Sequence, residues 1–263
     1  MKIKAKKSLG QNFLIDKNII KKIVEAGNIL PDSSILEIGA GTGNLTEYIL
    51  EKKPKKIFII EKDEKLAEIL KKRFDNKIDI INKDVLKVSE NLISSDKLIV
   101  YGNLPYNIST QILSKWITND HQNNWYKNYI LMFQKEVADR ILAQTNSKNY
   151  GRLSILSNWK LDVEKILNIN ASCFTPKPKV ESTLLKFTPK KNYLKLKNSK
   201  NLEIITRVFF NQRRKKIKNP INQLFRKSEK IIEKLKLNIE LRPQNLSPAT
   251  YYEIAKEYES LRN

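Results

Sequence analysis

Short apolar runs and amphipathic stretches alternate along the first 142 residues of the chain. The apolar runs have the length of buried strands, and apolar positions three and four residues apart indicate helices between them. A helix is predicted to begin after Asp16 and to end near Gly27. Strands are predicted at 34–38, 56–60, 78–82, 97–101 and 129–133, and further helices at 45–51, 65–74, 109–116 and 135–142. This alternation indicates a mainly parallel sheet that helices cover on both faces.

The pattern changes in the last third of the chain. Apolar segments at 161–166 and 183–187 are predicted to complete the sheet as an antiparallel pair, with a stiff proline-rich loop at 174–178 between them. Helices follow at 202–210, 221–225, 231–235 and 251–258. We therefore expect a larger α/β domain at 1–195, which begins with a basic arm at 1–10, and a small helical domain at 196–263.

Charge indicates the class of partner. The 263 residues contain 50 Lys and Arg against 28 Asp and Glu, a formal net charge of +22. Such a surface attracts polyanions, which favours nucleic acid over a membrane as partner. Part of the charge is compositional background, because Lys, Asn and Ile are abundant throughout the chain. Arginines are therefore better markers of an RNA contact than lysines.

Few residues in the chain are suited to metal binding or to disulfides. One cysteine, Cys173, and one histidine make a structural zinc site or an internal disulfide unexpected, so no metal is predicted. No apolar run approaches the roughly 18 residues of a membrane span, and the basic start lacks the apolar segment of a signal peptide. We expect a cytoplasmic protein without a membrane anchor.

Asn103-Leu104-Pro105-Tyr106 follows an apolar strand and suits a planar ring that carries an amine. The side-chain oxygen of Asn103 is an acceptor for an exocyclic N–H group. Proline restricts Leu104 to extended geometry, which can direct the Leu104 carbonyl toward the same amine. Tyr106 offers a face for stacking, worth roughly 1–3 kcal/mol per base. The turn thus suits a site that binds adenine and exposes the lone pair of its amine nitrogen, and the alternative is a strand end followed by a proline turn without a ligand.

A second candidate site is the glycine turn at 37–43, Glu-Ile-Gly-Ala-Gly-Thr-Gly, which joins a strand to a helix. Its spacing differs from the G-x-G-x-x-G of dinucleotide folds, which disfavours a dehydrogenase. Glu61 ends the next strand, where a carboxylate can bind both ribose hydroxyls, and Asp84 follows the third strand. Because parallel strands end at one edge of a sheet, these groups predict a crevice for an adenosine-bearing ligand.

Motifs along nearly the whole chain resemble the rRNA adenine N6-dimethyltransferases, and most of all the bacterial small-subunit branch, the KsgA family. The resemblance implies a Rossmann-like class I methyltransferase domain, with a seven-stranded, mainly parallel sheet and an antiparallel edge, plus a small C-terminal α-helical domain. It also implies S-adenosyl-L-methionine as cofactor and 16S rRNA in the small subunit as substrate. The motifs are the glycine turn and the segments 8–14, 102–110, 133–138, 150–154, 174–180, 212–215 and 242–247.

The resemblance also assigns residues to roles. It implies a catalytic turn at Asn103, Leu104, Pro105 and Tyr106, with Phe174 and Tyr106 on either side of the target base. The residues implied for the cofactor are Asn12, Leu14, Gly39, Gly41, Glu61, Asp84 and Asn103. RNA contacts are expected from Lys4, Lys6 and Lys7 of the basic arm and from Arg213, Arg214 and Lys215.

Two alternatives stay open at this point. The related branch that methylates large-subunit (23S) rRNA and confers macrolide resistance shares the cofactor motifs but carries Asn-Ile-Pro-Tyr in the catalytic turn. Leu104, the Ser8-Leu9-Gly10 lead-in and the 212–215 segment favour the small-subunit branch. A non-enzymatic ribosome-assembly factor on the same fold is disfavoured by the intact Asn103, Glu61 and Asp84. We expect a monomer in either case.

Overall fold

The computed structural model describes residues 5–6, 9–118 and 125–261. The chain forms two compact units. The first contains the described residues within Met1–Ile112, His121–Ala138 and Val163–Pro189, and the second contains those within Leu113–Asp120, Asp139–Asp162 and Lys190–Asn263. Within the described ranges, no helix is both long and apolar enough to cross a membrane.

A seven-stranded sheet forms the centre of the first unit. The strands are β2 (Ser34–Ile38), β3 (Lys56–Ile60), β4 (Asp79–Ile81), β5 (Leu98–Gly102), β6 (Tyr126–Gln134), β7 (Leu161–Ile169) and β9 (Ser182–Pro189). Their order is β4-β3-β2-β5-β6-β9-β7, and the pairs β2–β3, β3–β4, β2–β5 and β5–β6 are parallel whereas β6–β9 is antiparallel. This arrangement confirms the predicted α/β fold with an antiparallel edge.

Helices follow the strands as the periodicity predicts. Asp16 caps α1 by accepting hydrogen bonds from the Asn18 and Ile19 N–H groups, and Ile20, Ile23 and Val24 form its buried face. The ten helices of the described ranges are α1 (Lys17–Ala26), α2 (Asn44–Glu51), α3 (Glu64–Phe74), α4 (Ser109–Thr118), α5 (Lys135–Ile141), α6 (Arg152–Lys160), α7 (Lys200–Asn211), α8 (Lys218–Leu224), α9 (Ser228–Lys234) and α10 (Pro248–Ser260).

Two elements were not predicted from the sequence. Helix α6 buries serines as well as apolar side chains, among them Ser154, Ser157, Ile155 and Trp159, so no apolar stripe marks it. The second element is a separate two-stranded sheet of β1 (Phe13–Leu14) and β8 (Phe174–Thr175), which are antiparallel. Its strands are 160 residues apart in sequence and too short for a periodicity to reveal them.

The second unit is held by aromatic packing and by capping from its C-terminal helix. The Phe209 and Tyr251 rings meet edge to face at 5.3 Å, and the Tyr150 hydroxyl donates to the Leu246 carbonyl at 2.9 Å. The Glu259 carboxylate accepts from the Lys197 and Asn198 N–H groups at 2.7 and 2.8 Å, just before α7. The 139–162 stretch belongs to this unit, and the predicted boundary at 195/196 stays a prediction.

Candidate active site

A cavity lies at the carboxyl-terminal edge of the central strands of the first unit. Ile38 of β2 lies opposite Ile60 of β3 and Gly102 of β5, so the residues that follow each strand emerge side by side. The cavity is lined by residues of 9–14, 37–42, 60–62, 83–85 and 103–108, among others. Every residue assigned to the cofactor lines it, as do the four residues of the catalytic turn.

The glycine turn leaves its backbone open to the cavity at Gly39. Gly39 has φ +69° and Gly41 φ +60°, a conformation that side chains with a Cβ rarely adopt. A Cβ at Gly39 would meet no atom nearer than the Asn103 carbonyl oxygen at 4.0 Å, so the space beside it is free. A Cβ at Gly41 would lie 2.9 Å from the Phe13 ring. Gly39 thus allows a ligand to approach the backbone, whereas Gly41 allows the N-terminal segment to approach it.

Glu61 is a buried acceptor at the end of β3. Its Oε2 accepts from the Gly41 N–H at 3.1 Å and its Oε1 from the Asp63 N–H at 2.9 Å. Burial raises the pKa of Glu61, and these backbone hydrogen bonds oppose the rise only in part. A carboxylate oxygen has two lone pairs, so each oxygen retains one for a hydroxyl group of a ligand.

Asp84 is a more exposed carboxylate on the same cavity. It accepts from the Leu86 N–H at 3.0 Å and from Lys62 Nζ at 2.8 Å, and the hydrogen bond from Lys62 is the main cause of its lowered pKa. Asp84 is therefore an ionised acceptor at neutral pH.

The Asn103 side chain has a defined orientation. Its Nδ2 donates to the Asn12 carbonyl at 2.8 Å, which leaves the amide oxygen as the acceptor that Asn103 offers to a ligand. Leu104 is buried, and a Cβ on Gly102 would lie 2.7 Å from Leu104 Cδ2. The Leu104 side chain therefore packs against the strand end, and its backbone carbonyl is the group left for a ligand.

The Tyr106 hydroxyl forms a hydrogen bond with Ser182, a residue that the sequence analysis missed. The Tyr106 hydroxyl and Ser182 Oγ are 2.6 Å apart, and Ser182 is completely buried at the start of β9, where it pairs with Gln134 of β6. Burial raises the pKa of the Tyr106 hydroxyl. The neutral hydroxyl and the buried serine together restrict the tilt of the ring. The β5–β6 and β6–β9 pairings bring the two residues together, although they are 76 positions apart in sequence.

Phe174 lies in the core and does not line the cavity. It is 3% exposed, pairs with Leu14 in the β1–β8 sheet and packs in the main hydrophobic cluster. A contact with a target base would require its ring to leave this packing. The role that the resemblance implies for Phe174 stays a prediction.

The residues expected to bind RNA differ in their surroundings. Lys6 forms an ion pair with Asp63 at 2.8 Å beside the cavity, so it does not extend freely into solvent. Arg213 donates hydrogen bonds to the Lys148 carbonyl and to Gln244 Oε1, so part of its guanidinium is already used within the protein. Arg214 and Lys215 are exposed. Lys4 and Lys7 lie outside the described residues.

Glu37 is the second residue that the sequence analysis passed over. It is the penultimate residue of β2, lines the cavity and is 2% exposed, and its Oε2 accepts from Thr46 Oγ1 at 2.7 Å. Burial raises the pKa of Glu37 to about 7; the Thr46 hydrogen bond lowers it, and nearby Glu61 adds to the rise. The sequence feature that could have identified Glu37 is an acid within a continuous apolar run, because a carboxylate is rarely buried unless it is paired or hydrogen-bonded.

Comparison with known proteins identifies the family. The family model described as ribosomal RNA adenine dimethylase matches residues 2–260. The chain belongs to the ribosomal RNA adenine dimethylase family. A relative from Pelagibacter ubique named ribosomal RNA small subunit methyltransferase A is 59% identical over 262 residues, with 100% of both chains covered. Membership in the dimethylase family confirms the resemblance seen in the motifs.

Solved structures agree with this assignment. A dimethyladenosine transferase from Plasmodium falciparum is 29% identical with a TM-score of 0.81, over 94% of this chain and 98% of that one. The 23S rRNA methyltransferase ErmE is 21% identical with a TM-score of 0.68, over 95% and 100% of the two chains, and shows the shared fold alone. The comparisons therefore favour the small-subunit branch of the dimethylase family over the large-subunit alternative.

No group of three or more His, Cys, Asp or Glu side chains suited to a metal ion occurs in the described part of the dimethylase chain.

We predict that Glu37→Gln changes how the stability of the ligand-free protein depends on pH. The pKa of Glu37 is raised on folding, so its stabilising contribution is present below about pH 4.5 and is lost as the pH rises through about 7. Between pH 4.5 and 8 the free energy of unfolding of the wild type should therefore fall, relative to that of Glu37→Gln, by on the order of 3 kcal/mol. Urea denaturation at several pH values measures the difference.

Glu51→Gln is the control, because Glu51 is exposed at the end of α2. A pH-independent difference between Glu37→Gln and the wild type would show that Glu37 does not titrate in this range.

Proposed function

We propose that this protein transfers methyl groups from S-adenosyl-L-methionine to N6 of two adjacent adenosines in 16S rRNA. The targets lie in the loop of a hairpin near the 3′ end, and the products are N6,N6-dimethyladenosines. The proposal rests on one observation above all. The Asn12 carbonyl orients the Asn103 amide, so the Asn103 amide oxygen is an acceptor at the cavity. Glu61 and Asp84, the acids that we assign to the adenosine portion of the cofactor, line the same cavity. The small-subunit name of the 59%-identical relative supports the choice of RNA.

The residues around the cavity fit the cofactor. The open backbone at Gly39 and the buried Glu37 carboxylate suit the methionine portion, with its ammonium and carboxylate groups. Glu61 keeps acceptor capacity for the ribose hydroxyls, and the ionised Asp84 suits the adenine amine. Asn12, Phe13 and Leu14 also line the cavity. S-adenosyl-L-methionine would supply a methyl group that its sulfonium charge already activates.

The catalytic turn positions the target amine. Asn103 Oδ1 accepts one N6–H of the target adenine and the Leu104 carbonyl accepts the other, which holds the nitrogen lone pair free for attack on the methyl group. Tyr106, fixed by Ser182, stacks against the base. The mechanism needs no general base before transfer, because the proton leaves N6 after the nitrogen becomes cationic. The chain's contribution is positioning and electrostatic stabilisation.

The substrate is held as an unpaired loop within the small subunit or its precursor. Unpaired bases leave a stack at low cost, which suits a cavity that receives a single base. The exposed Arg214 and Lys215, with Lys4 and Lys7 of the basic arm, are the cations we assign to the rRNA backbone. We place the reaction in the cytoplasm, carried out by a monomer, as a step in small-subunit biogenesis.

We predict that the protein methylates small but not large ribosomal subunits. Labelled S-adenosyl-L-methionine and subunits from a strain lacking the modification should give N6,N6-dimethyladenosine in 16S rRNA alone. Label confined to 23S rRNA would contradict the proposal and favour the resistance-type activity. Absence of label from both RNAs, with subunit binding retained, would favour an assembly factor without catalysis.

We predict that Asn103→Ala lowers kcat/KM by about 100-fold or more, because one hydrogen bond to the reacting amine and one to Asn12 are lost. Asn18→Ala is the control, since Asn18 is an exposed amide on α1 that does not line the cavity. Similar losses in both variants would show that the Asn103 amide has no special role.

We predict that Ser182→Ala and Tyr106→Phe each lower kcat/KM about fivefold, the value of one hydrogen bond of about 1 kcal/mol. In the Tyr106→Phe background, Ser182→Ala should have little further effect, because its partner hydroxyl is already absent. Methylation kinetics of the four proteins measure this cycle. Ser157→Ala is a control for removing a buried hydroxyl. Losses that multiply in the double variant would show that Ser182 acts independently of Tyr106.

A further inference from the structure

Asp63, two residues after Glu61, joins the N-terminal wall of the cavity, residues 9–14, to the sheet. Its side chain is only 2% exposed, and three polar groups converge on it. Oδ2 accepts from Lys6 Nζ at 2.8 Å and from Gln11 Nε2 at 3.1 Å, and Oδ1 accepts from the Lys65 N–H at 3.2 Å. One carboxylate therefore holds the start of the chain and also caps α3.

Gln11 closes this set of contacts into a ring. Its Oε1 accepts from the Lys6 N–H at 2.7 Å while its Nε2 donates to Asp63. Burial acts to raise the pKa of Asp63, but the hydrogen bonds and charge of Lys6 and Gln11 prevail, and the pKa is lowered. The carboxylate is thus ionised at neutral pH and presents a full charge to Lys6.

Asp63 is also connected to the acceptor proposed for the ribose. Its backbone N–H donates to Glu61 Oε1 at 2.9 Å, and Glu61 Oε2 accepts from Gly41. A Cβ on Gly41 would collide with the Phe13 ring, so the same wall packs on the glycine turn. Asp63 therefore contacts both the N-terminal wall and the Glu61 carboxylate that we assign to the ribose.

Besides the β1–β8 pairing of Phe13 and Leu14, three side-chain attachments hold the wall residues 9–14 in the described structure. Asn103 Nδ2 binds the Asn12 carbonyl and Asn44 Nδ2 binds the Leu14 carbonyl, each at 2.8 Å, and both lie in the second half of the wall. The attachment to Asp63 through Gln11 and Lys6 holds the first half. Loss of the Asp63 carboxylate would free Leu9 to Gln11 while leaving the other two contacts in place.

We propose that Asp63 is a positioning residue that holds this wall closed beside the bound cofactor and sets the rate at which the cofactor leaves. The inference rests on the proposed function for the identity of that ligand. It assigns Lys6 to the closed wall, whereas the sequence analysis assigned it to RNA. Residues 9–14 line the cavity, so movement of Leu9 to Gln11 would open a path for the cofactor, and the contacts of Asp63 oppose that movement.

The competing explanation is that Asp63 only caps α3, and one substitution separates the two roles. Asp63→Ser retains a good N-cap for the Lys65 N–H but is too short to reach Gln11 and Lys6. Asp16→Ser is the matched control, because Asp16 caps α1 through the Asn18 and Ile19 N–H groups. Gln11→Ala removes the wall side of the contact and leaves both caps intact.

The test measures release of S-adenosylhomocysteine from the full-length protein by stopped-flow fluorescence. Asp63→Ser and Gln11→Ala should each raise the dissociation rate about tenfold, which corresponds to about 1.4 kcal/mol. The double variant should add less than twofold to either, and Asp16→Ser should leave the rate unchanged. An unchanged rate in Asp63→Ser, with thermal stability lowered as in Asp16→Ser, would overturn the proposal.

Hydrogen exchange of the ligand-free protein provides a second readout. Amides of residues 9–11 should exchange faster in Asp63→Ser and Gln11→Ala than in the wild type, whereas amides of α3 should not. Equal exchange at 9–11 in all variants would overturn the proposal. Failure of the wild type to bind S-adenosylhomocysteine would instead refute the proposed function, and the exchange rates would still decide whether Asp63 holds the wall.

Discussion

The in-register parallel pairing of β2 with β3 and β5 is the constraint on which the site depends. Ile38 lies opposite both Ile60 and Gly102, so three chain segments leave the sheet at the same level. A slip of one residue would turn every buried side chain of a strand to the other face. In the observed register the glycine turn, Glu61 and Asn103 line one cavity.

The site combines buried acids with backbone donors. Glu61 is oriented by the N–H groups of Gly41 and Asp63, and Glu37 by the Thr46 hydroxyl. Buried carboxylates are costly unless they are hydrogen-bonded, so these contacts make the acids compatible with folding. In the proposed function the acids bind the cofactor, and neutral groups of the catalytic turn bind the reacting amine. This division suits a reaction in which the electrophile arrives activated and the protein positions the nucleophile.

Residues distant in sequence orient the side chains of the catalytic turn at 103–106. Asn103 is oriented by Asn12, Tyr106 is hydrogen-bonded to Ser182, and the Leu104 side chain is buried. Phe174 packs in the core beside Leu14. Residues that support the site are thus contributed by the N-terminal segment and by the antiparallel edge, far from the motif in sequence.

The sequence alone determined the α/β fold, most strand and helix positions, and the family, because these depend on local periodicity and on motifs contiguous in the chain. It also predicted that Asn103, Glu61 and Asp84 lie at one edge of the sheet, because each follows a predicted strand, and all three line one cavity. Only the tertiary structure revealed α6, the β1–β8 pair, and the contacts of Ser182 and Asp63. Those features arise from burial on all sides or from contacts between residues 50 or more positions apart, and neither leaves a periodic signal in the sequence.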